Sequence, residues 1–355
     1  MSLLSPPFLQ KIEQCGKNIL LVGCGGGFDF VHSTLLLPEL KRLGKSVVFG
    51  SFSFGNPRNY TTAPTYWVDG QGVVPNDYAL PAVHAFEQPV LVKIVDASSR
   101  GAPDYAPEQH MVASLDEEFP TDAPHRMYAY YARSWTIDGL HAFYDHLVEK
   151  HSIDLVIAFD GGSDSLVVGD EAGLGDPIED AVTLGAVAKL KCSKMLITVG
   201  FGADRFNQVS DCSSLRAVAE LTRLGGFLGS VSIAKDGAPF ALYRKVLTHI
   251  YQHQTFRSVL AGAVCTAVEG EAFGFSVPPE ISGRVARSQN SGLWIWPLMA
   301  MLFSFDVDVV AQRSLVVRWI QGAKNAAAQA KQFDKNRGAV AIRPIENYPL
   351  QDRWH

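Results

Sequence analysis

The sequence has little of what marks several large classes of protein. Its five cysteines form no C-x-x-C pair and are odd in number, which favours free thiols in a reducing compartment over a disulfide framework. A formal net charge of -5 over 355 residues gives no electrostatic reason to expect a nucleic-acid partner. The printed chain does not open with the basic start and apolar stretch of a signal peptide. We therefore expect a cytoplasmic protein that does not bind nucleic acid.

Long hydrophobic runs are also scarce. The longest covers residues 293–305 and is interrupted by Pro297, so it is too short to cross a bilayer. This run predicts a helix that is buried or makes a subunit contact. We expect no membrane association, and a homo-oligomer would form through residues 293–310.

The usual cofactor motifs are incomplete or missing. A dinucleotide fingerprint, G-x-G-x-x-G, would begin at Gly23 and Gly25, but Phe28 stands in place of the third glycine. The next predicted strand, residues 46–52, is not followed by the carboxylate that would hold a ribose. NAD, FAD and S-adenosylmethionine are therefore disfavoured. The chain also lacks a Walker loop and the G-x-S-x-G turn of serine hydrolases.

Strand and helix patterns alternate along most of the chain. Apolar runs predict strands at residues 18–22, 46–52, 90–95, 155–159, 195–199 and 227–233. Helical patterns lie at residues 28–43, 108–115, 135–150, 177–191 and 214–224, then at 239–254, 256–268, 296–305 and 310–332. This order predicts an α/β fold with a doubly wound, mainly parallel, Rossmann-like sheet, helices on both faces and a helical C-terminal portion.

The length favours one large domain, with a possible division into residues 1–150 and 151–355. Within the first half, residues 55–89 are rich in proline and glycine and contain short alternating pieces. A structureless loop of that length is uncommon, so we expect a hairpin or a lid over the site.

Three turns rich in glycine and aspartate follow predicted strands. The residues they offer for ligand binding and catalysis are Gly25, Gly26, Gly27 and Asp29, then Asp160, Gly161, Gly162, Ser163 and Asp164, then Gly202 and Asp204. Ligands of open α/β sheets bind beyond the carboxyl ends of the strands, at the point where the strand order reverses. We therefore predict that the first two turns form the two walls of one crevice.

The carboxylates of these turns allow more than one interpretation. Asp29 either caps the helix that follows the first turn or faces the crevice. Asp160, Asp164, Asp170 and Glu171 are candidate metal ligands, because crowded carboxylates need a cation or donors to offset their repulsion. Mg²⁺ is the natural cation for such oxygen ligands.

Four residues apart on a predicted helix, His249 and His253 are a weaker candidate. They share one helical face and are able to bind zinc, but the glutamate of an HExxH motif is missing. A packed or solvent-edge pair is the favoured interpretation.

Together, the three turns resemble the bacterial and archaeal family named domain of unknown function 1152. The resemblance rests on residues 25–29, 160–171, 200–204 and 225–229, and covers the chain from about Asn18 to Val310. It implies a shared α/β fold and a pocket lined by glycine and aspartate. The family has no established activity to transfer.

These observations favour an enzyme over other classes. We expect a hydrolase or transferase acting on a nucleotide or another phosphorylated, hydroxyl-rich metabolite, rather than an oxidoreductase. Asp29, Asp160 and Asp164 would orient hydroxyls, hold a cation or act as general base. The alternatives are a non-catalytic module that senses a metabolite and a structural subunit.

Overall fold

The fold is α/β, built around one mixed sheet. The computed structural model describes residues 5–55, 60–61, 65–69, 72–75, 90–131, 135–275 and 292–348. The strands are β1 (Asn18–Gly23), β2 (Ser46–Ser53), β3 (Thr65–Asp69), β4 (Gly72–Pro75), β5 (Val90–Val95), β6 (Met127–Tyr131), β7 (Leu155–Gly161), β8 (Ser193–Val199), β9 (Phe227–Ser232) and β10 (Met301–Phe305).

The sheet has a parallel centre and antiparallel flanks. Its order is β4-β3-β5-β6-β2-β1-β7-β8-β10-β9. The five strands β6-β2-β1-β7-β8 run parallel to one another. On one side β5, β3 and β4 are added by antiparallel pairing, and on the other side β10 and β9. Strands from both halves of the chain share this sheet.

Helices cover the sheet and complete the core. They are α1 (Pro7–Gln14), α2 (Leu37–Arg42), α3 (Pro107–Glu118), α4 (Ile137–His151), α5 (Pro177–Ala188), α6 (Asp211–Arg223), α7 (Ala238–His253), α8 (Val259–Glu269), α9 (Val307–Arg313), α10 (Leu315–Ile320) and α11 (Ala326–Arg337). Short 3-10 helices occupy Asp29–Leu35, Asp164–Leu166, Ala203–Asn207 and Pro297–Ala300.

Alternate side chains of β1 enter two separate core layers. Leu20 and Val22 pack in a cluster with residues of α4 and α5, whereas Ile19 and Leu21 pack with residues of α3 and α7. Successive side chains of a strand point to opposite faces, so helices lie on both sides of β1. Burial on both faces explains why the central parallel strands are nearly continuous apolar runs.

Several helices begin at capping residues that the sequence supplies. Thr136 accepts a hydrogen bond from Gly139 N at the start of α4, and Asp306 accepts from Asp308 N and Val309 N at the start of α9. Ser314 caps α10 in the same way. Each cap satisfies a backbone donor that the first helical turn leaves free.

The prediction of a helix at residues 296–305 is wrong. Met301–Phe305 forms β10, which lies inside the sheet between β8 and β9. A short apolar run fits both a buried strand and a buried helix, and here the two neighbouring strands decide. The apolar side chains of Leu302 and Phe305 are buried within the chain.

Two predicted helices are also divided. Residues 28–43 form the 3-10 helix Asp29–Leu35 followed by α2, and residues 310–332 are shared by α9, α10 and α11. Ser314 and Asn325 cap the second and third of these, so capping chemistry interrupts the predicted continuous helix. The sequence patterns also missed β6, although its three tyrosines favour a strand.

The hairpin predicted within residues 55–89 is confirmed. Strands β3 and β4 pair antiparallel, and β3 also pairs with β5, so β4 is the edge strand of the sheet. The predicted lid falls largely on residues 56–59, 62–64, 70–71 and 76–89, which lie outside the described residues. In the part of the chain that the structure describes, no helix has the length and hydropathy needed to cross a membrane.

Candidate functional site

The first two glycine turns meet at the carboxyl ends of two adjacent strands. β1 and β7 are paired through Gly23 and Phe159, and Cys24 N donates to Phe159 O at 2.6 Å. Gly161 N, on the second turn, donates to Asp29 Oδ1, on the first turn, at 3.2 Å. The predicted juxtaposition of these two turns is therefore confirmed.

The third turn joins them through the next strand. Gly162 N donates to Val199 O at 2.7 Å, and Ser163 N donates to Asp204 Oδ2 at 2.5 Å. Asp204 follows β8, which pairs with β7. Three consecutive strand ends thus contribute to one site.

Between the turns lies a cavity of about 220 Å³, called the crevice below. Its carboxylates are Asp29, Asp160, Asp164, Asp176, Glu179, Asp180 and Asp204. Backbone of Gly26, Gly27 and Gly161 and the rings of Phe28, Phe54, Phe206 and Phe256 form much of the remaining wall. Among the described residues, no lysine or arginine lines it.

Glycine is required where the turns approach these carboxylates. Gly25 has φ +94, and a Cβ atom there would lie 2.0 Å from Asp180 Oδ1. Gly162 has φ +142, and its Cβ would lie 1.9 Å from Asp204 Oδ2. The missing side chains leave the room that the carboxylates occupy.

Burial and mutual repulsion dominate the electrostatics of the crevice. Burial, and after it the charge of Asp160, raises the pKa of Asp29 well above its ordinary value. Burial and the charge of Asp164 raise the pKa values of Asp160, Asp180 and Asp204 in the same direction. The carboxylates therefore hold protons at a pH where exposed aspartates would be ionised.

The pKa of Asp164 is also raised. Burial raises its pKa from 3.8 to about 6, against the hydrogen bond that Asp176 N donates to Oδ2 at 3.2 Å. The neighbouring Asp180 side chain also acts to lower this pKa, but burial outweighs both effects.

Sequence reasoning missed Asp180 and Glu179 as crevice residues. Their place just after Pro177 in the sequence favours the first turn of a helix, and they do lie in the first turn of α5. That turn, however, faces the crevice, and Asp180 Oδ2 has no hydrogen-bond partner. The available signal was the cluster of three acidic residues at one helix start.

The two interpretations of Asp29 are now resolved by its contacts. Its carboxylate accepts from Gly161 N, on the second turn, and lines the crevice. The 3-10 helix that it begins shows no side-chain cap. Asp29 thus links the two walls.

Four of the predicted ligand-binding residues lie behind the wall. Gly25 and Gly162 pack against carboxylates, and Gly202, with φ +84, packs against the Trp296 ring. The hydroxyl of Ser163 shares a 2.9 Å hydrogen bond with Ser214 Oγ, so this serine has a packing role. These residues shape the crevice without lining it.

Two of the predicted metal ligands, Asp170 and Glu171, do not line the crevice with Asp160 and Asp164, and they bind an arginine. Arg343 Nε donates to Asp170 Oδ2 at 3.0 Å, and its Nη2 donates to Glu171 Oε1 at 2.8 Å. Val168 N and Gly169 N also donate to Glu171. The cation that offsets these two carboxylates is an arginine from the distant C-terminal segment.

The spacing of the crevice aspartates bears on how they would hold a cation. In the described part of the chain, the one group of three histidine, cysteine or carboxylate donors lying within 4.8 Å of one another is made of histidines. No three of the crevice carboxylates form such a group among the described residues. One or two of them, with water or a substrate phosphate, suit the way Mg²⁺ is bound.

Comparison with known proteins identifies the family. The chain matches the family described as "Protein of unknown function (DUF1152)" over residues 134–341, more than half its length. This range includes the second and third turns. Neither a curated protein nor a solved structure matches the chain. The resemblance noted from the sequence is therefore confirmed, and the chain belongs to the DUF1152 family.

Proposed function

We propose that the crevice binds a divalent cation, Mg²⁺, together with a nucleotide or another phosphorylated, hydroxyl-rich metabolite, and that the protein is a hydrolase or transferase. One observation carries this proposal. Asp29, Asp160, Asp164, Asp180 and Asp204 are all buried in a crevice whose described lining has no positive side chain.

The charge balance of the crevice supports a cation. Two unit charges about 5 Å apart interact by about 3 kcal/mol at an effective dielectric constant of 20. Without a cation, such repulsions are avoided when the carboxyls keep protons, which is the direction in which the pKa values of Asp160, Asp180 and Asp204 are shifted. A divalent ion would instead let neighbouring carboxyls ionise by offsetting their charge. Asp160 and Asp164, which bracket the second turn, are the residues proposed to hold it.

The size and surroundings of the crevice support a phosphorylated metabolite. Mg²⁺ in protein sites commonly completes its shell with substrate phosphates. A second cavity, of about 430 Å³, shares Asp176 and Glu179 with the crevice and is lined by Trp135, Val182 and Phe333. An apolar cavity of this kind suits a flat ring such as a nucleobase, with the phosphates at the aspartates.

The raised pKa of Asp29 supports acid–base chemistry. A general base works best when its pKa lies near the operating pH, and burial and the charge of Asp160 raise the pKa of Asp29 well above its ordinary value. In the proposed reaction Asp29, which is not one of the two residues assigned to the cation, accepts the proton of an attacking water or hydroxyl. Gly161 N donates to Asp29 and fixes this carboxylate, as Ser165 Oγ does for Asp160.

The fold supports a doubly wound, Rossmann-like arrangement with the site at its switch point. From β1 the parallel strands continue outward through β2 and β6 on one side and through β7 and β8 on the other. Ligands of such sheets bind where the order reverses, which here is between β1 and β7.

The end of β2 supports hydrolysis or group transfer over NAD-, FAD- or S-adenosylmethionine-dependent chemistry. No carboxylate follows β2 directly, and the nearby Glu108 accepts from Ser51 Oγ at 2.7 Å and from Tyr60 Oη at 2.6 Å. Both oxygens of this buried glutamate are therefore already used, and it does not line the crevice. A ribose would lack its usual acidic partner.

The proposal is tested by replacing the two bracketing aspartates. Asp160→Asn and Asp164→Asn should each weaken binding of Mg²⁺ and of the tightest-binding nucleotide in a panel by about tenfold or more, because a charged ligand group is lost. Calorimetry measures both affinities. Asp170→Asn is the matched control, since its carboxylate binds Arg343 away from the crevice.

Each result has a defined meaning. Unchanged affinity in both crevice variants, with correct folding, would overturn the proposed site. Retained, aspartate-dependent binding without turnover in hydrolase and transferase assays would instead favour the metabolite-sensing module.

A further inference from the structure

Three histidines come together on the surface between α3 and α7, apart from the crevice lining. His110 belongs to α3, whereas His249 and His253 belong to the last turns of α7. One ring nitrogen from each of the three lies within 4.8 Å of the other two. The sequence could pair only the two histidines of α7, because the third lies about 140 residues away.

The rings are arranged as a compact stack. His249 and His253 have ring centroids 4.4 Å apart with an interplanar angle of 28°. His110 stacks on His253 from the other helix, with centroids 5.3 Å apart and an angle of 25°. Three imidazoles from two helices thus face one another, and Glu117 Oε2 lies 3.7 Å from His249 Nδ1.

A backbone contact fixes the tautomer of one imidazole. His253 Nδ1 lies 2.8 Å from His249 O, and a carbonyl oxygen only accepts, so Nδ1 carries the proton. The Nε2 lone pair of His253 is consequently available to a metal. A metal-binding histidine commonly uses its other nitrogen in this way.

The environment also favours the uncharged form of His110 and His249. Burial, and after it the neighbouring His253 and His249, lowers the pKa of His110 to about 4. Burial and His253 lower the pKa of His249, with Glu117 opposing and Lys245 reinforcing the shift. Neutral imidazole is the form that binds metal.

We propose that His110, His249 and His253 form a binding site for a zinc ion. Three imidazole nitrogens and a water molecule make the four-coordinate set that Zn²⁺ adopts in open sites. Three nitrogen donors and no carboxylate within the set favour zinc over Mg²⁺ or Ca²⁺, which select oxygen ligands.

Zinc at this position would fasten α3 to the end of α7. The chain leaves α7 at Gln254, whose Oε1 accepts from Ala106 N at 3.0 Å just before α3, and soon reaches Phe256 in the crevice wall. The ion would therefore reinforce an existing contact behind the crevice. The site does not depend on the function proposed for the aspartates.

The test is a zinc titration of the full-length protein carrying no histidine tag. Zn²⁺ is added in the presence of excess Mg²⁺, which competes for carboxylates but not for imidazoles. We expect His253→Ala and His110→Ala each to lose one bound Zn²⁺ per chain or to weaken its binding about tenfold or more. His146→Ala on α4 is the matched control and should titrate like the unchanged protein.

A spectroscopic measurement identifies the ligands. Co²⁺ bound in place of zinc should give the visible absorption of a tetrahedral site in the unchanged protein and in His146→Ala, and lose it in the two cluster variants. His253 is exposed, so its replacement should leave the fold intact. Equal zinc stoichiometry and affinity in the unchanged protein, His253→Ala and His110→Ala would overturn the site.

Discussion

In the second turn, a glycine leaves the space that a neighbouring carboxylate occupies. Gly162 sits at φ +142, where a Cβ atom would lie 1.9 Å from Asp204 Oδ2. The same carboxylate accepts the hydrogen bond of Ser163 N. Backbone conformation and carboxylate position at this turn are therefore set together.

Gly162→Ala is expected to lower the free energy of unfolding by about 2–3 kcal/mol. The change adds the cost of a conformation that side chains rarely adopt to a clash with Asp204. Urea denaturation followed by circular dichroism measures the loss. Binding of Mg²⁺ should fall as well, because Asp204 has to move.

Gly44→Ala separates these two costs. Gly44 also has positive φ, at +66, but nothing lies within 4 Å of the added Cβ. This variant should lose only about 1 kcal/mol. Equal losses at the two positions would contradict the account of Gly162 as a residue that makes room for Asp204.

At the scale of elements, the start of α5 brings acidic residues to the crevice. Glu179 and Asp180 lie in its first turn, where the positive end of the helix dipole favours negative charge. The helix begins at Pro177, whose missing N–H costs nothing at that position. The local preference of the sequence and the electrostatic need of the crevice therefore agree at this helix end.

The C-terminal segment provides a contrasting carboxylate site. Arg343 binds Asp170 and Glu171, and Ala172 N and Arg343 N complete backbone contacts between the two segments. Arg343→Ala should lower the free energy of unfolding by about 2–3 kcal/mol, because the buried Glu171 loses its charged partner. Chemical denaturation measures this loss, and the crevice affinity for Mg²⁺ should not change.

A surface arginine gives the control for this prediction. Arg42 pairs with Glu39 within one helix, and their side chains are 65% and 37% exposed. Arg42→Ala should cost about 1 kcal/mol or less. If Arg343→Ala weakened the affinity for Mg²⁺ and Arg42→Ala did not, this result would indicate that Asp170 and Glu171 contribute to the metal site.

How far the sequence predicts these elements depends on how much of their surroundings is local. All the central parallel strands except β6 were located, because burial on both faces leaves a continuous apolar run, as in β7. The apolar run that forms β10 was predicted as a helix, because only its pairing with β8 and β9 makes it a strand. The glycine turns at the strand ends could be recognised in the sequence. The side chain of Asp180, in contrast, faces the crevice only because of the way α5 packs on the sheet. Arg343, which binds Asp170, is likewise far from it in the sequence.

At the scale of the whole molecule, folding brings several carboxyl groups together in the crevice. Its aspartates come from the ends of β1, β7 and β8 and from α5, segments that meet only when the sheet is complete. Burial raises the pKa of each of Asp29, Asp160, Asp164, Asp180 and Asp204. Folding therefore takes up protons above the ordinary titration range of aspartate, and stability is linked to pH.

The sign of this linkage gives the last prediction. A carboxyl with a raised pKa stabilises the folded protein at low pH, and that contribution is lost as the pH rises through the folded pKa. For Asp164 the change from 3.8 to about 6 corresponds to about 3 kcal/mol, lost between about pH 4 and pH 6. With a chelator present, the Tm should therefore fall as the pH is raised from about 4 to about 6. Saturating Mg²⁺ should reduce this fall, because the cation binds the ionised carboxylates. Asp164→Asn should flatten the chelator profile below about pH 6, and a profile identical to that of the unchanged protein would show that Asp164 does not titrate there.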